Sequence, residues 1–278
     1  MELHQYHDVA RRGIVERLIY SAKDEDETAV SRYANVYLPF GYSEGQDYPV
    51  LYLIHGGGGN PDAWFDSSMI KNALDCSVAE GRCRPFITVF PSFYLHDPVR
   101  TGRVDEKAEG GHVLRFQKEL RNELIPAVDG RFSTDPSRKS RAIGGFSMGG
   151  VTTWFAFLEN LDLFSVFLPL SGDCWQFGGL GGGKETEKTV RYLHDRVAEQ
   201  GFGPDDFRIF AGTGSKDIAY PNLTPQIEAM KKDTELFRFS SKMDEGNLHY
   251  VVMEDAPHTY GKVYHHVYHY APALFPAC

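Results

Sequence analysis

The sequence predicts an α/β fold, a mostly parallel central sheet entered through antiparallel strands, with helices on both faces. Three observations predict it. Short apolar runs alternate with stretches of helical periodicity, the pattern of parallel strands joined by crossover helices. The first two candidate strands instead alternate polar and apolar residues, as antiparallel strands with one wet face do. Polar or glycine-rich stretches begin where the predicted strands end, and open parallel sheets bind ligands at that edge.

The elements follow in order. "IVERLIYS" (14–21) and "VSRYANVYLP" (30–39) are the alternating pair. "PVLYLIHG" (49–56) is nearly all apolar and reads as a strand buried on both faces, followed by a helix over 61–79. "FITVFPS" (86–92) is a second buried strand, and 112–128 a second helix. "SRAIGGF" (140–146) is a third buried strand. "SVFLPLSG" (165–172), "FRIFAGTG" (207–214) and "LHYVVMEDA" (248–256) complete the parallel set, with helical patterns between them. No repeat, low-complexity tract or linker divides the chain, so residues 1–278 read as one domain. The whole pattern suits an α/β-hydrolase sheet.

Composition excludes several classes of function. The 278 residues are 42% hydrophobic and 24% charged, an ordinary globular balance with ample material for a core. The formal net charge of −9 argues against nucleic acid or an anionic membrane as partner, since both need a basic surface. No apolar run reaches the roughly 18 residues of a membrane span. The first residues, "MELHQYHDVARRG", lack the apolar core of a signal peptide, which decides little about the compartment. Four cysteines are too few for a disulfide scaffold. Cys76 and Cys83 are close enough in sequence to bridge a helix end, and Cys174 and Cys278 could be free; no pairing follows from spacing alone.

Five stretches converge on the expected binding edge: "HGGGGN", "GFSMGG", "SGDCWQF", "GTGSKD" and "DAPHTYG". The second carries Gly145-Phe146-Ser147-Met148-Gly149, a G-x-S-x-G pattern between a strand and a helix. That context is what gives the pattern meaning. The serine must sit on a tight strained turn, and side chains at Gly145 or Gly149 would collide with neighbouring backbone. The helix that starts there aims its free N–H groups at the reaction centre, with the Met148 amide beside the oxygen that becomes negative in acyl transfer. Ser147 is therefore the candidate nucleophile. The bland reading is a glycine-rich turn that packs a helix against the sheet.

Serine needs a base, and the base needs an orienting carboxylate, here expected in the chain order Ser, Asp/Glu, His. Beyond residue 200 the histidines are His249, His258, His265, His266 and His269. His258 alone occupies a loop directly after a buried strand and is the candidate base. His249 falls inside that strand, and the other three lie on the last helix, where a partly packed, partly wet face is preferred over a metal site. Asp217, in the loop after "FRIFAGTG", is the candidate acid. Asp255 and Glu254 are rivals, but neighbours on the same short loop seldom reach the far ring nitrogen. "HGGGGN" supplies the second oxyanion amide, Gly57 or Gly58, because glycines let backbone approach the substrate. No metal and no cofactor is expected.

At this point the motifs resemble the feruloyl esterases of carbohydrate esterase family 1, in the esterase-D-like group of α/β-hydrolases. The matching stretches are "RYANVYLPFGY", "YPVLYLIHGGGGN", "ELIPAVDGRFSTD", "RAIGGFSMGGVTTW", "FLPLSGDCW", "GTGSKDIAYPNLTPQIEAM" and "APHTYGKVYHHVYHYAPALF", running from about residue 30 to the end. The resemblance places nucleophile, acid and base on Ser147, Asp217 and His258. It implies hydrolysis of the ester joining ferulic or p-coumaric acid to arabinose on xylan, by a secreted enzyme of plant-cell-wall degradation, often a module of a larger polypeptide. One departure is that relatives often carry tryptophan just after the catalytic histidine, where Thr259 and Tyr260 stand here.

A phenolic acyl group suits Trp or Tyr walls. Trp175 is the first candidate and Tyr260 the second, whereas Trp64 and Trp154 read as core residues. The polar loop 93–111 is expected to border the sugar side of the cleft. Rival readings are an acetyl (xylan) esterase, an S-formylglutathione hydrolase, a siderophore esterase or an acyltransferase of the same fold. A carbohydrate-binding protein without catalysis is a rival of another class. "GGLGGGKE" (178–185) nearly spells a phosphate-binding loop, but Glu185 replaces the metal-binding hydroxyl and would repel phosphate; it reads as a mobile loop beside the cleft.

Overall fold

The computed structural model describes residues 1–24, 26–96 and 109–277. Most of the predicted cleft-border loop 93–111, and Cys278, therefore lie outside the described residues.

The strands are β1 Ile14–Lys23, β2 Ala29–Leu38, β3 Val50–Ile54, β4 Ile87–Phe90, β5 Arg141–Phe146, β6 Val166–Leu170, β7 Arg208–Lys216 and β8 Leu248–Pro257. They form one sheet in the order β1-β2-β4-β3-β5-β6-β7-β8. β1 runs antiparallel to β2, with Ile14 opposite Leu38 and Lys23 opposite Ala29, and β2 runs antiparallel to β4. Every other neighbour is parallel. This is the α/β-hydrolase sheet that the apolar runs predict.

The helices are α1 Ala63–Ser67, α2 Ile70–Ala79, α3 Glu109–Glu119, α4 Ile125–Arg131, α5 Met148–Glu159, α6 Gly181–Lys184, α7 Thr186–Glu199, α8 Tyr220–Met230 and α9 Tyr260–Leu274. They cover both faces. Residues of β3 alternate between two apolar clusters, as the pleat requires. Tyr52 and Ile54 pack with Phe116, Phe157, Leu193 and Ile227 from α3, α5, α7 and α8. Leu51 and Leu53 pack with Trp64, Leu74 and Val267 from α1, α2 and α9.

Two predicted helices are interrupted. The stretch 61–79 breaks where Ser68 becomes extended (φ −152°, ψ 176°); its hydroxyl donates to the Trp64 carbonyl and accepts the Ile70 amide, closing one helix and opening the next. The stretch 112–128 passes through a π-helical turn at Leu120–Leu124, a one-residue insertion that pattern reading does not register. Cys76 and Cys83 are both buried thiols, so the bridge considered between them is not formed.

Candidate active site

The turn between β5 and α5 holds Ser147 at φ 58°, ψ −117°, a conformation costly for any residue with a side chain. The glycines around it make the turn sterically possible. A Cβ on Gly145 would lie 2.6 Å from the carbonyl carbon of Gly149, and one on Gly149 only 2.4 Å from the Ile54 carbonyl oxygen. The Ser147 amide donates to the Leu170 carbonyl at 2.9 Å, tying the turn to β6.

The loop after β8 brings His258 over this turn, with its ring packed on Phe146 at 4.4 Å between centroids. His258 Nε2 lies 2.9 Å from Ser147 Oγ, and Nδ1 lies 2.7 Å from Asp217 Oδ1. Asp217 is 5% exposed and held from two further sides. The Ala219 amide donates to Oδ1 at 2.7 Å and the Ser171 hydroxyl to Oδ2 at 2.8 Å. With Nδ1–H donated to Asp217, the Nε2 lone pair faces the serine hydroxyl, the tautomer a base requires. Asp255 pairs with Lys216 at 2.7 Å and is exposed, and Glu254 accepts from Ser215; neither is bonded to His258.

The glycine run after β3 is fastened by side chains. The Gly56 amide donates to the Tyr260 hydroxyl at 2.7 Å, the Gly58 amide to the Tyr94 hydroxyl at 2.9 Å, and the Gly59 amide to the Gly56 carbonyl at 3.1 Å. The Gly57 amide has no acceptor among the described residues, nor has the Met148 amide at the first position of α5. Both residues line the same cavity as Ser147. Of the two glycines that the sequence leaves open, Gly58 is engaged by Tyr94 and Gly57 keeps its amide unengaged among the described residues. Tyr94 is fixed in turn by a buried network. Arg32 donates to the Ser92 and Tyr94 carbonyls and to Glu119, which also accepts from the Tyr20 hydroxyl and from Arg115. His55 Nε2, 2.8 Å from Ser92 Oγ, joins the same segment to the end of β3.

The cavity beside Ser147 has a volume of about 590 Å³, within the ordinary range for small-ligand sites. Trp175 lines it, with its indole nitrogen donating to Asp173 Oδ1 at 3.0 Å. Tyr260 does not line it. Its hydroxyl is turned to the Gly56 amide and its ring stands edge-on to Phe146 and Trp64, at 4.8 and 5.1 Å. Its place in the sequence beside His258 suggests a wall, but as the first residue of α9 it points inward under the glycine loop. Trp64 and Trp154 are core residues, bonded to the Ile54 and Gly172 carbonyls.

Sequence reasoning does not find Leu180, Ile218 or Asp173, which also line the cavity. Ile218, 74% exposed, carries a signal in hindsight: a large apolar residue directly after the candidate acid. Burial pushes the Asp173 carboxyl up, opposed by hydrogen bonds from Trp175 and the Gly183 amide. The "GGLGGGKE" stretch is no open loop at its centre. It forms α6, whose Gly183 is so close to α8 that a Cβ would lie 2.4 Å from the Asn222 Cα. His249 is buried and stacked on Phe210 at 4.6 Å. His265 and His269 accept the His4 and Glu2 amides through Nδ1, and His266 is buried; none of the three points to the cavity.

A turn that strains a serine, a relay of two hydrogen bonds and two amides left over beside them are the parts that acyl transfer requires. The family model Esterase matches residues 27–277. The chain belongs to the Esterase family. Endo-1,4-beta-xylanase Y of Acetivibrio thermocellus is 35% identical over 254 residues, 87% of this chain and 22% of that protein. An endo-1,4-beta-xylanase/feruloyl esterase of Xylanibacter ruminicola is 30% identical over 230 residues, 81% of this chain and 28% of that protein. This esterase chain thus spans about a quarter of the length of these curated relatives. Among solved structures, a serine-to-alanine mutant of the feruloyl esterase module from Clostridium thermocellum, complexed with sinapinate, superposes with a TM-score of 0.81 at 30% identity, over 99% of this chain and 94% of that one.

Proposed function

We propose that this chain is a feruloyl esterase that releases ferulic or p-coumaric acid from feruloylated arabinoxylan or its oligosaccharides through an acyl-enzyme. The observation that carries the reading is the Ser147–His258–Asp217 relay at the floor of the cavity, with its hydrogen bonds of 2.9 and 2.7 Å. Ser147 attacks the ester carbonyl as its proton passes to His258 Nε2. The amides of Gly57 and Met148 hold the oxyanion. Collapse of the tetrahedral intermediate breaks the carbon–oxygen bond to the sugar, whose oxygen takes the proton from His258. Water, deprotonated by the same imidazole, then cleaves the acyl-enzyme and restores the serine. Asp217 orients the ring and stabilises the imidazolium.

The size of the cavity and its Trp175, Leu180 and Ile218 walls favour a flat aromatic acyl group over acetyl. The names of the xylanase and feruloyl esterase relatives support the same substrate class and a place as one module of a larger polypeptide; a secreted location follows from the proposed substrate itself, a polymer met outside the cell. The test compares methyl ferulate with short acetyl esters. A preference for the hydroxycinnamate, lost with its fold intact in Ser147→Ala, supports the proposal. A preference for acetyl esters replaces it with the acetyl esterase reading, and retained turnover in Ser147→Ala removes the nucleophile. Absence of any ester turnover in the parent protein leaves the carbohydrate-binding reading.

A further inference from the structure

We infer that His7, Cys76 and Glu80 form a binding site for a zinc-type divalent cation that fastens the N-terminal arm to the face of the molecule built by α2 and α9. The three side chains come from segments that no sequence motif links. Cys76 and Glu80 are four residues apart at the end of α2, on one helical face. His7 reaches them from the arm that precedes β1.

The three ligand atoms lie within reach of a single ion, with the His7–Glu80 pair closer than a bound ion would set it. His7 Nε2 lies 2.9 Å from Glu80 Oε1 and 3.7 Å from Cys76 Sγ, and all three ligand atoms fall within 4.8 Å of one another. Tetrahedral coordination with bonds of about 2.0–2.3 Å sets neighbouring ligand atoms roughly 3.3–3.7 Å apart.

The surrounding hydrogen bonds leave the right lone pairs free. His7 Nδ1 donates to the Gln5 carbonyl at 3.0 Å, so Nε2 is the bare nitrogen of the neutral ring. Glu80 Oε2 accepts from the Tyr268 hydroxyl at 2.9 Å, which fixes the carboxylate and turns Oε1 to the cluster. A donated second ring nitrogen and a tethered carboxylate are what outer-shell partners provide around a bound metal. Two acceptors 2.9 Å apart repel unless a cation or a proton lies between them. The rival is therefore a metal-free imidazolium–carboxylate pair.

The donor types select the ion. Imidazole, thiolate and one carboxylate suit zinc and its transition-metal neighbours, whereas magnesium and calcium want oxygen alone. The Cys76 thiol, pushed up to about 11 by burial and then by Glu80 and Asp75, is protonated without a metal. Binding replaces that proton with the metal–sulfur bond and delivers it to buffer. Water completes the fourth position, since His7 and Glu80 are 50% and 30% exposed. The arm is otherwise held by neutral hydrogen bonds to His265, His269 and Asn72 and by the Glu2–Arg82 pair.

The experiment uses the full chain after chelator treatment. Zinc chloride is titrated calorimetrically and thermal unfolding is followed with and without zinc, with cobalt(II) as spectroscopic probe. One zinc per chain, a melting temperature raised by about 5 °C at a hundredfold excess over Kd, and a thiolate-to-cobalt charge-transfer band support the site. Cys76→Ser should lose the band and the thermal shift, His265→Gln should keep both, and kcat for ester hydrolysis should not change. His7→Ala, at a half-exposed position that leaves the core intact, keeps the test decisive should Cys76→Ser misfold: it too should lose the shift. No heat and no shift in the parent chain, a cobalt spectrum without the thiolate band, or zinc binding that survives His7→Ala would overturn the assignment and leave the ion pair.

Discussion

Tyr260→Phe isolates one hydroxyl. The ring keeps its edge-on contacts with Trp64 and Phe146, and only the acceptor of the Gly56 amide is lost. Gly56 is buried, so the orphaned N–H costs about 1–3 kcal/mol unless the loop moves. Movement carries the Gly57 amide with it, being the next residue. Complete loss of an oxyanion donor costs about 10²–10³ in kcat. The Tyr94 tether on Gly58 remains, so the expected loss is about tenfold, or about 1.4 kcal/mol, with KM for methyl ferulate unchanged. The melting temperature should fall by a few degrees, at about 2–4 °C per kcal/mol for a chain near this size. Steady-state kinetics and a thermal melt read all three quantities. An unchanged kcat with a KM raised several-fold would refute the reasoning, because it would make Tyr260 the substrate wall that its sequence position suggests.

Asp217→Asn should lower kcat by roughly 10⁴, by analogy with serine-protease triads, while Asp255→Asn, which removes only an exposed pair with Lys216, should leave it unchanged; the opposite result reassigns the acid. Trp175→Ala should raise KM for hydroxycinnamate esters by at least about tenfold, from the loss of about 1.5–3 kcal/mol of apolar burial, and barely alter hydrolysis of acetyl esters. Glu119→Gln breaks a buried pair with Arg32 and should cost about 3–5 kcal/mol in a denaturant melt; a loss below 1 kcal/mol would show the network to be incidental. Burial, the largest cause, pushes His266 down to about 3 and His265 and His269 to about 4. The unfolded chain then binds protons that the folded one excludes. Stability is full above pH 6.5 and falls as the pH drops toward 4, so calorimetric melting temperatures should decline across that window and stay flat if the ring environments are wrong.

Much of this was legible in the sequence because it depends on local pattern. β3 to β8 are short apolar runs between turn residues, and that is enough to place Ser147, Asp217 and His258 at the ends of β5, β7 and β8. Gly145 was readable because its close contact, the backbone of Gly149, lies within the turn itself, whereas the contact of Gly149 with the Ile54 carbonyl on β3 needed the folded sheet. What escaped depends on where side chains travel. Nothing beside Tyr260 in the chain says that its hydroxyl meets Gly56, 204 residues away. Gly57 and Gly58 look alike until Tyr94 is folded against one of them. The break at Ser68 and the π turn at Leu120–Leu124 are local changes of hydrogen-bond partner that periodicity averages away.

The glycine loop is anchored in the interior by Tyr260, Tyr94 and, behind the latter, Arg32 and Glu119, whereas Trp175, Leu180 and Ile218 stand on the connections after β6 and β7. Charge handling and acyl choice are thus mounted separately. Replacing the second set can alter which acids are accepted without disturbing the first, so a library confined to positions 175, 180 and 218 should yield changed selectivity at preserved turnover.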